Sequence, residues 1–188
     1  VSASGVASGK FFVYDGVQCR SNPWFCTFYG YPQTEPSYGV SSNAKVMVMV
    51  EFDTEDVDAD LPAGRVRVYQ QEIDQAALLI GEDTIDHTPK GERVRLYVGD
   101  AFDIVGERKQ TDWKKLSDRL YEMQFEITLR NHKDAPIVVQ VNEPIGGDWE
   151  MLSSTYKYTK TAAFAAQFLV PVAKDGTSIL KYRIRARW

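Results

Sequence analysis

The sequence predicts an all-β protein: an immunoglobulin-like, two-sheet antiparallel β-sandwich with an irregular N-terminal segment. Two observations lead to this prediction. Apolar and polar side chains alternate with a period of two over several long stretches, which is the pattern of half-buried strands. Clusters of Gly, Pro, Asn and Asp separate these stretches, as turns do. We therefore place the irregular segment at residues 1–44 and the sandwich at residues 45–188.

The clearest alternation lies in two strands toward the C-terminal end. Their inward-facing sets are Tyr121, Met123, Phe125, Ile127 and Leu129, and then Leu180, Tyr182, Ile184, Ala186 and Trp188. Shorter runs predict strands at residues 65–69, 77–80, 93–98, 102–109, 137–141, 149–152 and 164–172. Strands with one apolar face each, joined by polar turns, are typical of two sheets packed face to face.

The strand predicted at residues 45–52 is apolar on both faces. Val46, Val48 and Val50 lie on one side, and Met47 and Met49 lie on the other. A strand of this kind requires cover on both faces. The N-terminal segment is rich in aromatic residues, so we expect it to supply that cover. The alternative is that the two methionines are simply exposed at an edge.

The first nine residues, VSASGVASG, are small and mostly polar. Such a tail is ordered only where something holds it, so we expect it to pair with a sheet edge of its own molecule or of a neighbour. A start at Val1 is compatible with a mature end left by signal removal or with a linker.

Two cysteines, Cys19 and Cys26, are separated by six residues that include Asn22 and Pro23. This segment can fold back as a turn and bring the sulfurs within disulfide range. The even cysteine count favours a disulfide and an oxidising compartment. Two buried free thiols are the alternative. We expect the protein to be extracellular, periplasmic or at the cell surface.

Several ordered motifs carry a family resemblance. They are LPAGRVRVY at residues 61–69, IGED and HTPKGE at residues 80–92, VGDAFDIVGERK at residues 98–109, FEITLRNHKDAPIVVQVNEPIGGDWE at residues 125–150 and TSILKYRIRARW at residues 177–188. Over residues 45–188 the chain resembles the bacterial domain-of-unknown-function family 4139, the C-terminal domain of mucoidy-inhibitor-like proteins. The resemblance implies a secreted or envelope-associated β-sandwich with no established activity and no catalytic residues to carry over. Residues 1–44 do not match the parts that usually precede this domain.

Composition and motifs argue against several function classes. The formal net charge of −4 disfavours nucleic-acid binding, and no apolar run approaches the roughly 20 residues of a membrane span. The two histidines, His87 and His132, lie in predicted turns, and no nucleophile elbow or phosphate-binding glycine loop is present. We therefore predict a non-enzymatic protein without catalytic, cofactor-binding or metal-binding residues.

Two charged stretches leave alternatives open. The acidic run from Asp53 to Asp60 offers the hard oxygen ligands that Ca²⁺ prefers, but it lacks the EF-hand spacing and is also typical of a solvated hairpin. Arg183, Arg185 and Arg187 form a basic stripe that could bind an anionic polymer. Alternatively, these arginines pair with Glu122 and Glu126 on an adjacent strand.

Our functional hypothesis is a domain that acts by protein–protein assembly, through self-association or with another envelope protein. One form of it is a filament or surface-structure subunit whose N-terminal strand joins a neighbour's sheet. The second hypothesis is a polysaccharide- or anion-binding module that uses the basic stripe, and a hydrolase is the third.

Overall fold

The computed structural model describes residues 6–17, 43–57, 59–71 and 77–188. These ranges contain eleven strands and no helix, which confirms the prediction of an all-β sandwich. The strands are β1 (Ser8–Tyr14), β2 (Lys45–Asp53), β3 (Gly64–Gln71), β4 (Ala77–Ile85), β5 (Arg93–Ser117), β6 (Leu120–Asn131), β7 (Ile137–Pro144), β8 (Asp148–Ser154), β9 (Tyr158–Ala162), β10 (Ala165–Val172) and β11 (Thr177–Arg187). Within these ranges no helix has the length and apolar character needed to cross a bilayer.

Nine of the strands form one sheet, in the order β8-β11-β6-β5-β2-β1-β7-β10-β9, and β3 and β4 form a separate antiparallel hairpin. The chain divides into two compact units. Unit 1 consists of Val1–Phe12 and Met47–Ala101, and unit 2 consists of Val13–Val46 and Phe102–Trp188. Strands β1, β2 and β5 run through both units.

Unit 2 has a two-layered core, with β6 and β11 in one layer and β7 and β10 in the other. β11 pairs antiparallel with β6 along its whole length, with Leu180 opposite Ile127, and β10 pairs with β7. The side chains predicted to face inward on β6 and β11 are buried, apart from the half-buried Trp188. Phe168 of β10 stacks on Tyr182 of β11 with ring centroids 5.4 Å apart, and Tyr182 stacks on Phe125 of β6 at 5.2 Å. This aromatic column joins the two layers.

The part of β2 that belongs to unit 1, from Met47 onward, is covered more fully than an exposed edge strand would be. Met49 is buried, and Met47, Val48 and Val50 are half-buried. The alternative of two exposed methionines is therefore wrong for Met49.

Strand β5 is longer than expected. The sequence predicted separate strands at residues 93–98 and 102–109, but β5 continues through the intervening Gly99 and Asp100 for 25 residues in all. That prediction was wrong because turn-forming residue types are compatible with extended backbone when both neighbouring segments are in a ladder. Strand β9 was not predicted at all, since its five residues are all exposed and lack an apolar face.

The N-terminal segment is not wholly irregular. Residues 8–14 form β1, which lies between β2 and β7 in the chain's own sheet. The last two residues of the predicted tail, Ser8 and Gly9, belong to this strand, so this part of the tail joins the sheet of its own molecule, and residues 1–5 lie outside the described ranges. The strand occupies an interior position rather than an edge, and its last residue, Tyr14, is fully buried.

Candidate functional sites

The predicted basic stripe on β11 is largely engaged with carboxylates. Arg183 donates to Asp112 at 2.6 Å, and Arg185 lies 2.7 Å from Glu122 and 3.1 Å from Glu150. The hydrogen bond from Arg183 lowers the pKa of Asp112 below its ordinary value.

The register explains the contacts of the stripe, because Arg185 stands directly opposite Glu122 and Lys181 directly opposite Glu126. The alternative of cross-strand ion pairs is therefore confirmed for Arg183 and Arg185, and Lys181 pairs with Glu126 in the same way. Arg187 is exposed and makes no ion pair with any described residue. Anion binding by the stripe stays a prediction, and a ligand would have to displace the carboxylates from Arg183 and Arg185.

A charged cluster that the sequence analysis missed lies in the core of unit 2. Arg108 of β5 donates from Nε to both carboxylate oxygens of Glu143 of β7, at 3.1 and 2.9 Å. The guanidinium lies 4.2 Å from the ring centroid of Phe125, and the Tyr182 hydroxyl donates to Glu143. Burial away from water, together with the charge of Glu143, raises the pKa of Tyr182 well above its ordinary value.

The geometry of this cluster indicates a structural role rather than a catalytic one. The side chains of Arg108 and Glu143 are 2% and 0% exposed, so a substrate in solution does not reach them. The carboxylate, guanidinium and phenol hydrogen-bond to one another in the core, so they link β5, β7 and β11, three strands that are not neighbours in the sheet. The signal was present in the sequence: Arg108 shares the inward phase of Ile104 and Gly106 on β5.

In unit 1, the base of hairpin β3–β4 is firmly attached to β5. A Cβ atom on Gly81 would lie 2.4 Å from the carbonyl oxygen of Val98, so only glycine allows this close crossing. The Asp83 carboxylate accepts the backbone N–H of Tyr97 at 2.7 Å. Arg65 and Arg67 both contact Glu82, at 3.0 and 2.8 Å. The base of the hairpin therefore has a fixed position in unit 1.

The other end of the hairpin is apolar and exposed. We name this surface the tip patch; it consists of Tyr69, Leu78, Leu79 and Ile80, which are 53%, 55%, 50% and 37% exposed. Tyr69 stands opposite Leu79 in the register. Leu78 lies on the other face of β4, because successive side chains of a strand alternate, and Ile80 is the extra residue where the register shifts between Leu79 and Gly81. Both faces of the tip thus present large apolar side chains to solvent.

In unit 2, a groove lies at one end of the sandwich, where three turns and the last residue meet. We name it the loop groove. It has a volume of about 700 Å³, and it is lined by Asp118, Arg119, Gly147, Asp148, Lys160, Ala163, Phe164 and Trp188. A volume of this size is in the range of small-molecule sites. Sequence reasoning missed the groove because its lining residues come from distant turns.

Three acids in the described part of the acidic run contact residues of neighbouring segments. Asp53 contacts Arg93 at 3.0 Å, Glu55 lies 3.8 Å from Lys90, and Asp60 accepts the Lys90 backbone N–H at 2.9 Å. No group of three or more His, Cys, Asp or Glu side chains able to hold a metal occurs within the described ranges. Asp58 lies outside those ranges.

The histidines have ordinary turn environments. The Nδ1 atom of His87 accepts the Ala63 backbone N–H at 3.3 Å, and the exposed His132 donates its backbone N–H to Asp103 at 2.8 Å. The predicted disulfide partners, Cys19 and Cys26, lie outside the described residues, so the disulfide stays a prediction.

Comparison of the chain with protein-family models, with curated proteins and with solved structures finds no match. The class that the fold defines is an all-β sandwich, and the resemblance to family 4139 stays a prediction.

Proposed function

We propose that this protein acts without catalysis, by binding a second copy of itself through the tip patch of hairpin β3–β4. The observation that carries the proposal is the exposure of four large apolar side chains on a two-stranded hairpin with a fixed base. Contiguous exposed apolar surface is typical of interaction sites. A two-stranded hairpin is also only marginally stable without further cover, so association would stabilise the tip.

The backbone of the hairpin supports the choice of a second copy as the partner. Each strand of this two-stranded sheet pairs on one side only within the described residues, and an unpaired edge is a template for another strand. The β4 segment at residues 77–81 is Ala-Leu-Leu-Ile-Gly and carries no charge. Two copies of β4 can therefore pair antiparallel about a two-fold axis without like-charge repulsion, in an isologous contact.

This contact replaces the N-terminal strand exchange that the sequence suggested. Because β1 already lies between β2 and β7 in its own sheet, we place self-association at the hairpin. We also propose that the protein works outside the cytoplasm, at the cell envelope or surface. The family resemblance and the two closely spaced cysteines support this location.

Sedimentation velocity over a range of protein concentrations tests the proposed dimer. We expect the wild-type chain to dimerise, and we expect Leu78→Ser combined with Ile80→Ser to weaken dimerisation at least tenfold, about 1.4 kcal/mol. The matched control is Val138→Ser combined with Leu169→Ser, since these side chains of unit 2 are 51% and 60% exposed. A wild-type chain that stays monomeric at its highest soluble concentration, or a control that weakens association equally, would contradict the proposal.

A further inference from the structure

We infer that the loop groove of unit 2 binds an oligosaccharide that carries carboxylate groups. This inference goes beyond the proposed self-association and uses a different surface. The groove combines an aromatic wall with charged side chains that have few partners of their own, and each part matches one feature of an acidic sugar.

The aromatic wall consists of Phe164 and Trp188. Phe164 is 51% exposed, and its ring offers an apolar surface for the C–H face of a pyranose. The Trp188 ring packs edge-on against Tyr121 at 5.7 Å. Gly147 also packs against the ring, since a Cβ atom there would lie 3.1 Å from it. The positive φ of +74° at Gly147 is a second reason for glycine at this position.

The cations of the groove fit a carboxylate. Arg119 is exposed and its side chain makes no ion pair with any residue that the structure describes. The ammonium group of Lys160 lies 4.5 Å from the ring centroid of Trp149, which holds it beside the groove without neutralising its charge. A guanidinium group can form a bidentate pair of hydrogen bonds with a carboxylate.

The acids of the groove fit sugar hydroxyls. Asp118 is already bound to Lys115 at 2.9 Å, whereas Asp148 has no cation partner within the described ranges. Arg119 and Lys160 remain available to an anionic ligand, because neither makes an ion pair with a described residue. A carboxylate such as Asp148 accepts hydrogen bonds from hydroxyl groups, so a simple anion is disfavoured and a polyhydroxylated anion is favoured.

The indole of Trp188 offers one further hydrogen-bond donor. The indole N–H of Trp188 is buried and has no hydrogen-bond partner among the described residues. An unsatisfied buried donor lowers stability. Trp188 lines the groove, and an oxygen of a ligand bound there is the acceptor that this N–H lacks within the described ranges.

Titration of the full chain with oligogalacturonate, followed by calorimetry and tryptophan fluorescence, tests the inference. We expect saturable binding with a change in fluorescence, and binding at least tenfold weaker for the methyl-esterified, uncharged oligomer. Phe164→Ala and Arg119→Ala should each weaken binding about tenfold. Lys174→Ala, which removes an exposed cation from a turn elsewhere in unit 2, should leave it unchanged.

Asp148→Ala separates a sugar site from a simple anion site. Removing this negative charge should strengthen the binding of a simple anion, but it should weaken the binding of oligogalacturonate because hydroxyl contacts are lost. Tighter binding by Asp148→Ala, no saturable binding by the wild-type chain, or equal binding of the methyl ester would overturn the inference. Circular dichroism of each variant confirms that the fold is retained.

Discussion

Replacing Glu143 with leucine is expected to lower the free energy of unfolding by about 3–5 kcal/mol, the usual cost of leaving a buried charge without its partner. The substitution leaves the guanidinium of Arg108 in the core, 2% exposed, with no carboxylate at its Nε atom. It also removes the acceptor of the Tyr182 hydroxyl. Urea unfolding monitored by tryptophan fluorescence measures the loss.

Two variants make this prediction specific. The triple substitution Arg108→Met, Glu143→Leu and Tyr182→Phe removes every polar member of the cluster, and it should recover most of the stability because a well-packed apolar replacement is often neutral or stabilising. Glu126→Gln breaks a more exposed pair with Lys181 and should cost less than about 1 kcal/mol. A Glu143→Leu loss as small as that of Glu126→Gln would be incompatible with a structural role for the cluster.

Replacing Tyr14 with alanine should cost about 3–5 kcal/mol, as large aromatic truncations in a core do. Tyr14 is fully buried, and its hydroxyl donates to the backbone carbonyl of Asn43 at 2.7 Å. Its ring occupies the space beside Gly106, where a Cβ atom would lie 2.1 Å from the ring. Thermal unfolding followed by circular dichroism measures the effect, as a marked fall in midpoint temperature.

Gly106→Ala tests the same contact from the opposite side. The methyl group should destabilise unit 2, and in combination with Tyr14→Ala it should cost much less than the sum of the two single effects, since contacting residues are not additive. Gly64→Ala is the control, because a Cβ atom there has nothing within 4 Å. Strict additivity of the Gly106 and Tyr14 substitutions would show that the two residues do not share this space.

Alternation of apolar side chains predicts the strands that are half-buried, and it does so well for β6 and β11. The pattern fails where turn-forming residues lie inside a strand and where a strand has no apolar face. Gly99 and Asp100 are turn formers that continue a strand, and β9 is short and fully exposed. Strand β1 begins at Ser8 and Gly9, whose small side chains give no periodic signal, so its place inside the sheet follows from tertiary pairing.

The candidate sites show a similar division. Arg108 stands two residues after Gly106 and four after Ile104, so the alternation of side chains places it on the inward face of β5. Applied strictly, this pattern predicts that Arg108 is buried. Its partner Glu143 lies in phase with Val141 on β7 in the same way. Alternation along a strand does not predict the tip patch or the loop groove. The exposure of Leu79 and the position of the three turns both depend on how segments distant in the sequence pack.

We propose that the edge of β4 that pairs with no other described strand pairs with a second copy of the chain. Amide hydrogen exchange, measured by mass spectrometry at low and high protein concentration, tests it most directly. We expect exchange in residues 77–81 to slow as concentration rises, while exchange in β9, the exposed edge strand Tyr158–Ala162, does not change. Exchange in residues 77–81 that is independent of concentration, or that slows equally in both strands, would contradict it.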